Sequence, residues 1–338
     1  MLKKLAIILV ALFLCCSCSK KNLQEEITFS SWGSVTETAI INKLIKEYEK
    51  ENPNIKINFI HVPQNYFQKI HLLFASSQAP DVIFINNLYL PVYAGKLEPL
   101  DNIINKEEFH NKSISALSYQ GHLYAIPRDL SCFMFFYNKD ITGSINSDWT
   151  INDFKKAVRK YTDKNHWGVS YERDIFKAEP YILTMGEKEG LEFYKSLEGV
   201  YAPNPSDVGS STLAQMFLDG KIAFYLSGRW LYPKINESAS FSIGFVTFPG
   251  TVYADSSGWA ISKSSKHKNE AIKFVQFLSS EKSEEYFTET GLIVPARKNL
   301  LQKIKEKAFV DAITNSVTRN AGKDYNKKRD FYNKKFFN

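Results

Sequence analysis

The chain has 338 residues, 44% of them hydrophobic and 23% charged, a globular composition that excludes collagen-like, low-complexity and wholly disordered chains. At roughly 150 residues per domain, the length points to about two domains. The net charge is +7, but between Arg319 and Asn338 seven basic residues stand against Asp324 and Asp330, so the excess sits in a tail read as solvated. Nucleic-acid binding, which wants a basic face on a folded element, is not expected.

At the N-terminus, Lys3 and Lys4 precede an apolar run from Leu5 to Leu14, which ends in Cys15, Cys16, Ser17 and Cys18. A charged start followed by a short apolar run reads as a secretory signal, well under the roughly 20 residues of a membrane-spanning helix. Because the run ends in cysteines and not in Ala-x-Ala, residues 1–18 resemble a bacterial lipoprotein signal. Cys18 is then the lipid-bearing first residue, with Cys16 as the alternative acceptor, and one acyl chain alone would hold only marginally. On this reading Cys15 and Cys18 form neither a redox motif nor half a zinc site. The remaining cysteine, Cys132, lies in an apolar stretch and is expected to be a buried, inert thiol. No disulfide is available to the mature body. A polar tether covers 19–26.

Strand and helix signals then alternate. Ile27 to Phe29 opens a strand, and Ser34 with Glu37 has capping-box spacing at the start of a helix. Ile40, Ile41, Leu44, Ile45 and Tyr48 form its apolar face until Asn52-Pro53 stops it. A strand over 55–62, a helix over 65–77 and the continuous apolar strand 81–85 follow. Strand, helix, strand, helix, strand implies a parallel sheet. Thr150 and Asp153 repeat the capping-box spacing before a helix over 150–161, and a strand follows at 167–171. Further on come a helix over 212–219 ending at Gly220, strands at 222–226, 243–248 and 259–262, and a mostly helical last third. No repeat and no Pro- or Gly-rich linker appears, so two α/β lobes must be joined by crossing strands.

Enzyme motifs are largely missing: no Walker loop, no glycine-rich dinucleotide fingerprint, no Gly-x-Ser-x-Gly elbow and no His-Glu-x-x-His. The six histidines never pair at ligand spacing, and no metal or cofactor is expected. Paired carboxylates meet in space and not in sequence, so Glu37, Asp81 and Asp129 are the acids to check, against a plain reading as caps and turn residues. Aromatic residues reach 14%, and Trp and Tyr rings also build platforms for sugar-like ligands.

A series of segments carries a family resemblance. It runs through Ile27-Thr28-Phe29-Ser30-Ser31-Trp32-Gly33, Tyr48 to Ile57, Ala79-Pro80-Asp81-Val82 to Asp101, Leu123 to Pro127 with Phe136 to Asp140, and Trp149-Thr150. It continues in Phe217 to Phe224, Ser227-Gly228-Arg229-Trp230, Gly258 to Ser262 and Thr290 to Pro295. In this order they resemble the sugar-binding branch of bacterial ABC-importer solute-binding proteins, the group that includes maltose-binding and glycerol-3-phosphate-binding proteins. The likeness covers nearly the whole mature chain.

The resemblance implies an α/β, two-lobed periplasmic-binding-protein-like fold with crossing hinge strands and an interlobe ligand cleft. The N-terminal lobe would hold 27–126 and 259–295, and the C-terminal lobe 127–258 and 296–338, with hinge crossings at Pro127 to Cys132 and Ser257 to Ala260. Ligands of open α/β sheets bind beyond the carboxyl ends of strands, which here are followed by the loops 30–33, 86–88 and 227–230. Carried over residue by residue, the ligand set is Trp32, Tyr66, Asn86, Asn87, Ser131, Ser227, Arg229, Trp230, Gly258, Trp259 and Arg297. Trp230 would stack a sugar ring. Arg128, Arg229 and Arg297 could fork onto a phosphate or stand as rim charges.

The implied function is a lipid-anchored extracytoplasmic receptor, a monomer without enzymatic activity. It would hold a sugar or polyol and deliver it to the permease subunits of an ABC importer, the lipid anchor keeping it at the membrane. A receptor for glycerol-3-phosphate or another phosphorylated polyol is the alternative. An exported carbohydrate-active enzyme and a purely structural lipoprotein are the readings from other classes.

Overall fold

The computed structural model describes residues 24–337. The leader, with Cys16 and Cys18, lies outside the described residues. Apart from a small hairpin of Ser118–Tyr119 and His122–Leu123, the strands in chain order are β1 (Glu25–Ser31), β2 (Ile55–His61), β3 (Val82–Asn86), β4 (Ile126–Ser131), β5 (Met134–Asn138), β6 (Trp167–Val169), β7 (Ile222–Ser227), β8 (Ile243–Thr247), β9 (Tyr253–Ile261), β10 (Val294–Pro295) and β11 (Val317–Thr318). The main helices are α1 (Val35–Glu51), α2 (Tyr66–Ala75), α3 (Ile151–Lys160), α4 (Ile175–Met185), α5 (Glu187–Ser196), α6 (Leu213–Leu218), α7 (Lys268–Leu278), α8 (Glu281–Glu289), α9 (Lys307–Asn315) and α10 (Tyr325–Phe337).

Two sheets organise the molecule into two α/β lobes. The first runs β10-β4-β9-β3-β1-β2, with β11 pairing beside β9; the second runs β8-β5-β7-β6. β1 is parallel to β2 and β3, as the alternation of strands and helices requires. Elsewhere the pairing is mixed. β9 enters the first sheet antiparallel between β3 and β4, and β5 is antiparallel to both its neighbours. The simple parallel sheet expected from sequence therefore stops at β3.

Local signals explain the helices that position the cleft. Ser34 caps α1 by accepting from the Glu37 amide at 3.2 Å, and Ile40, Ile41, Leu44, Ile45 and Tyr48 bury against the first sheet. Thr150 and Asp153 close a full capping box on α3. Phe29, Phe84, Trp259 and Phe274 centre the core of the first lobe, and Phe135, Phe154, Tyr181 and Phe224 that of the second.

The chain passes from the first sheet to the second through Cys132 and Phe133, between β4 and β5, and returns over 248–252, between β8 and β9. The expected crossing segments Pro127 to Cys132 and Ser257 to Ala260 lie largely in strands of the first sheet: Asp129 and Leu130 pair with β10, and Gly258 to Ala260 pair with β3. A third passage leads from β10 to α9, which packs on β8. The basic tail is not a solvated strand of chain. It forms α10, docked on α4 through Arg329 and Asn333 to Asp174, with Phe337 against Tyr171 and Tyr194.

Candidate functional site

Two adjoining cavities of about 190 and 280 Å³ lie between the lobes at the ends of β1, β3, β4 and β7, and share Ser131, Trp230 and Ser257 as lining. Trp230 stands between them. It is 45% exposed, in a turn after β7, and meets Phe133 edge-on at 6.0 Å. Its indole lies across Gly228, where a Cβ would come within 1.9 Å of the ring, so glycine at 228 is what lets the tryptophan fold over its own turn. A half-exposed, well-supported indole offers an apolar face to a ligand ring.

The smaller cavity is floored by a buried ionic triad. Arg128 donates from Nε and Nη2 to Asp129 Oδ2 at 2.8 and 2.6 Å, and from Nη1 to Glu37. Its guanidinium also covers the Phe84 ring at 4.1 Å. Glu37 reaches Arg128 from the first turn of α1. The sequence gives it a capping-box partner role, but only the Ser34 half of that box forms, and the Glu37 carboxylate turns toward the cleft instead. Gly33 makes room: its φ is +150°, and a Cβ there would sit 2.7 Å from Glu37 Oε2. Burial pushes the Asp129 carboxyl up from its ordinary value, against the pull of Arg128. Asp129 Oδ1 accepts from the Ser257 amide at 3.2 Å, next to an irregularity in the β4–β9 pairing. Of the three acids singled out in the sequence, Glu37 and Asp129 thus meet at the cleft, both held by one arginine. Asp81 does not; it accepts from Thr28 and Ser265 at the far end of the sheet.

Arg229 borders the same cavity. It pairs with Glu306 at 3.3 Å and covers the Phe309 ring at 4.5 Å, while its buried Nε has no partner among the described residues. Burial pulls its guanidinium below the usual arginine range. Beyond it opens a wider hollow of about 630 Å³, bordered by Tyr232, Glu285, Lys303 and Glu306.

The structure brings Trp32, Asn86, Asn87, Ser131, Arg229 and Trp230 to the two cavities. Asn87 is spent on structure as well: Nδ2 donates to Asp255 at 2.9 Å, and Oδ1 accepts from the Ser256 amide at 3.2 Å, locking β3 to β9. The other expected ligand residues stand elsewhere. Tyr66 is buried, donates to the Ser30 carbonyl at 3.0 Å and props Trp32 edge-on at 4.9 Å, supporting the site from behind. Ser227 is buried at the end of β7. Gly258 is packed within the sheet, where a Cβ would meet the Ile126 carbonyl oxygen at 2.2 Å. Trp259 is fully buried against Phe29 and Phe84. Arg297 points away from the cavities, with Nε on the Ser279 carbonyl at 2.8 Å and Nη1 on Glu108 at 2.5 Å.

Sequence reasoning did not find Tyr89, Phe133, Phe176, Asp255 and Arg329, which border the larger cavity. Arg329 lay in the basic tail, where nothing local marks it. Among the described residues no group of His, Cys, Asp and Glu is placed to hold a metal, and no helix is long and apolar enough to cross a membrane.

Comparison with known proteins bears on this arrangement. The chain is 24% identical to the maltodextrin-binding protein MdxE of Bacillus subtilis over 90% of its own length and 84% of that protein's. The fold matches the substrate-binding protein Lmo0181 of Listeria monocytogenes, solved with cycloalternan, with a TM-score of 0.82, 24% identity and coverage of 93% and 92% of the two chains. It also matches UgpB of Mycobacterium tuberculosis, solved with glycerophosphocholine, with a TM-score of 0.76, 18% identity and 87% of each chain. Residues 32–285 fit the family model for bacterial extracellular solute-binding proteins, and with most of the chain inside that match, this protein belongs to that family.

Proposed function

We propose that the protein is an exported, lipid-anchored receptor that captures a carbohydrate in the cleft around Trp230 and delivers it to the permease subunits of an ABC importer. The observation that carries the ligand class is the pairing of the cleft arginines. Arg128 is held by Glu37 and Asp129, Arg229 by Glu306, and Arg329 by Asp174. A paired guanidinium still donates hydrogen bonds but offers little net charge, which suits hydroxyls better than a phosphate. The exposed indole supplies the apolar platform. MdxE, named for maltodextrin, and Lmo0181, solved with cycloalternan, support the same class.

The lobes are taken to divide where the chain passes between the sheets, and closing them over a ligand is what the importer would sense. Cys18 is the proposed anchor. The same pairing argues against catalysis by Glu37 and Asp129, since both acids are already engaged by Arg128. One observation favours a second reading: the unpartnered Arg229 Nε suits an acceptor such as a phosphate oxygen, as in a phosphorylated polyol.

A thermal-shift screen of residues 19–338 against sugars, polyols and their phosphates separates the two. A ligand at about a hundred times its Kd adds roughly 2.7 kcal/mol. Stabilisation by neutral sugars, lost in Trp230→Ala, is the expected result. Stabilisation by phosphates alone, lost in Arg229→Ala, would replace it with the second reading.

A further inference from the structure

The two sides of α10 are built from different residues. Its inner side docks the helix: Arg329 Nε donates to Asp174 Oδ1 at 3.0 Å, Asn333 Oδ1 accepts from the Ile175 amide at 2.7 Å, and Asn326 donates to the Leu88 carbonyl at 3.0 Å. Phe337 closes the end against Tyr194. None of these residues faces outward. The outer side is Lys327, Lys328, Phe331, Lys334 and Lys335, all exposed. At 3.6 residues per turn these five positions fall within about 120° of the helix circumference, with position 331 near the middle.

The fold makes little use of this side. Lys328 pairs with Asp324 at 2.8 Å, whereas Lys327, Lys334 and Lys335 enter no ion pair among the described residues. Phe331 is 61% exposed and meets the neighbouring Tyr332 edge-on at 5.6 Å. Asp324 and Asp330 leave the helix with a net positive charge, to which the exposed Lys323 adds just before its start. A surface that needs only to be soluble is served by lysines alone, and gains nothing from a phenylalanine ring at their centre.

Lysine ammoniums on long flexible stems are point charges, suited to spread negative charge more than to one shaped acceptor. An aromatic ring among them can enter the boundary between headgroups and acyl chains while they stay at the headgroups. The complement of such a face is a plane of anionic phospholipid.

We propose that the outer face of α10 is a docking surface for an anionic membrane, with Lys327, Lys334 and Lys335 on the headgroups and Phe331 inserted between them. The site lies apart from the ligand cavities and needs no ligand in them. It would give the protein a second hold on the bilayer beside the proposed Cys18 anchor. Because α10 also borders the larger cavity through Arg329 and reaches Leu88 through Asn326, that hold would set which side of the molecule lies near the lipid.

The test is co-sedimentation of residues 19–338, which carry no acyl chain, with vesicles of phosphatidylglycerol or of phosphatidylcholine at low and high salt. The expected result is binding to phosphatidylglycerol alone, released as salt rises. Each lysine near an anionic surface contributes about fivefold to partitioning, so the combined Lys327→Gln, Lys334→Gln and Lys335→Gln variant should lose about a hundredfold. Phe331→Ala should bind more weakly as well, and both variants should melt with the unaltered protein, since the side chains they change are exposed. Equal binding to the two lipids overturns the proposal, as does binding that the lysine variant keeps. Full binding by Phe331→Ala also overturns it, marking the face as a surface for any polyanion. No binding to either vesicle at low salt overturns it in favour of an acidic protein partner.

Discussion

Glu284, in the first turn of α8, accepts two backbone amides on one carboxyl oxygen, from Ala296 at 2.7 Å and Arg297 at 3.2 Å. Its other oxygen, buried without a hydrogen bond, lies 3.5 Å from Arg297 Nε, and burial drives its pKa well above the usual carboxylate range. A carboxyl raised in the folded state keeps its proton there while the unfolded chain releases it, so its contribution to stability falls as pH climbs past the ordinary glutamate value. Glu284→Gln keeps the accepting oxygen and removes the titration. It should match the unaltered protein near pH 4 and exceed it at neutral pH, where the unfolded chain's carboxyl has released its proton. Thermal melts at the two pH values read the difference directly. Single residues also show how far sequence reaches: the family resemblance at Gly228-Arg229-Trp230 pointed to a residue that borders both cavities, whereas nothing pointed to the arginine pairings, because Arg128 and Glu37 are 91 positions apart and Arg229 and Glu306 are 77.

Helix ends do much of the joining between elements. Lys112, in a short helix beside the first sheet, sends its ammonium to the carbonyls of Ile313 at 2.6 Å, Thr314 at 2.9 Å and Ser316 at 2.6 Å. These close the C-terminus of α9, which packs on the second sheet, so one cation caps a helix of the opposite lobe and complements its dipole. Partial burial lowers the Lys112 pKa. Lys112→Met keeps the stem and strands the carbonyls, and it should cost about 1–3 kcal/mol by urea denaturation. Elements with such strong local signals, α1 and α3 above all, were legible from caps and apolar spacing. Those held by distant partners were not. The first half of β9, Tyr-Ala-Asp-Ser-Ser-Gly, has few apolar side chains because its role is to pass backbone and Asp255 between two neighbours. α4 hides behind an internal Pro180, and α10 docks through one ion pair to Asp174, hydrogen bonds of Asn326 and Asn333, and Phe337.

At the scale of the whole molecule, β9 is the strand on which the first lobe depends. It sits between β3 and β4 and pairs Ser257 with Asn86, so the sheet begun by β1 is completed by residues far along the chain. A chain ending at Gly250 has β1 to β4 but not the strand that joins β3 to β4. It should show no cooperative melt by circular dichroism and be cleaved rapidly by trypsin, where the complete chain melts cooperatively and resists cleavage.

The late arrival of β9 also sets a clock. Pairings between distant segments must close long loops before they are rewarded, and chains dominated by them fold slowly. During synthesis the first lobe has no finished sheet until Tyr253 to Ile261 emerge, by which time most of the polypeptide has been made. A chain that becomes compact only late can be held extended for longer, which suits passage through a narrow channel, and the family to which this chain belongs is one of extracellular solute-binding proteins.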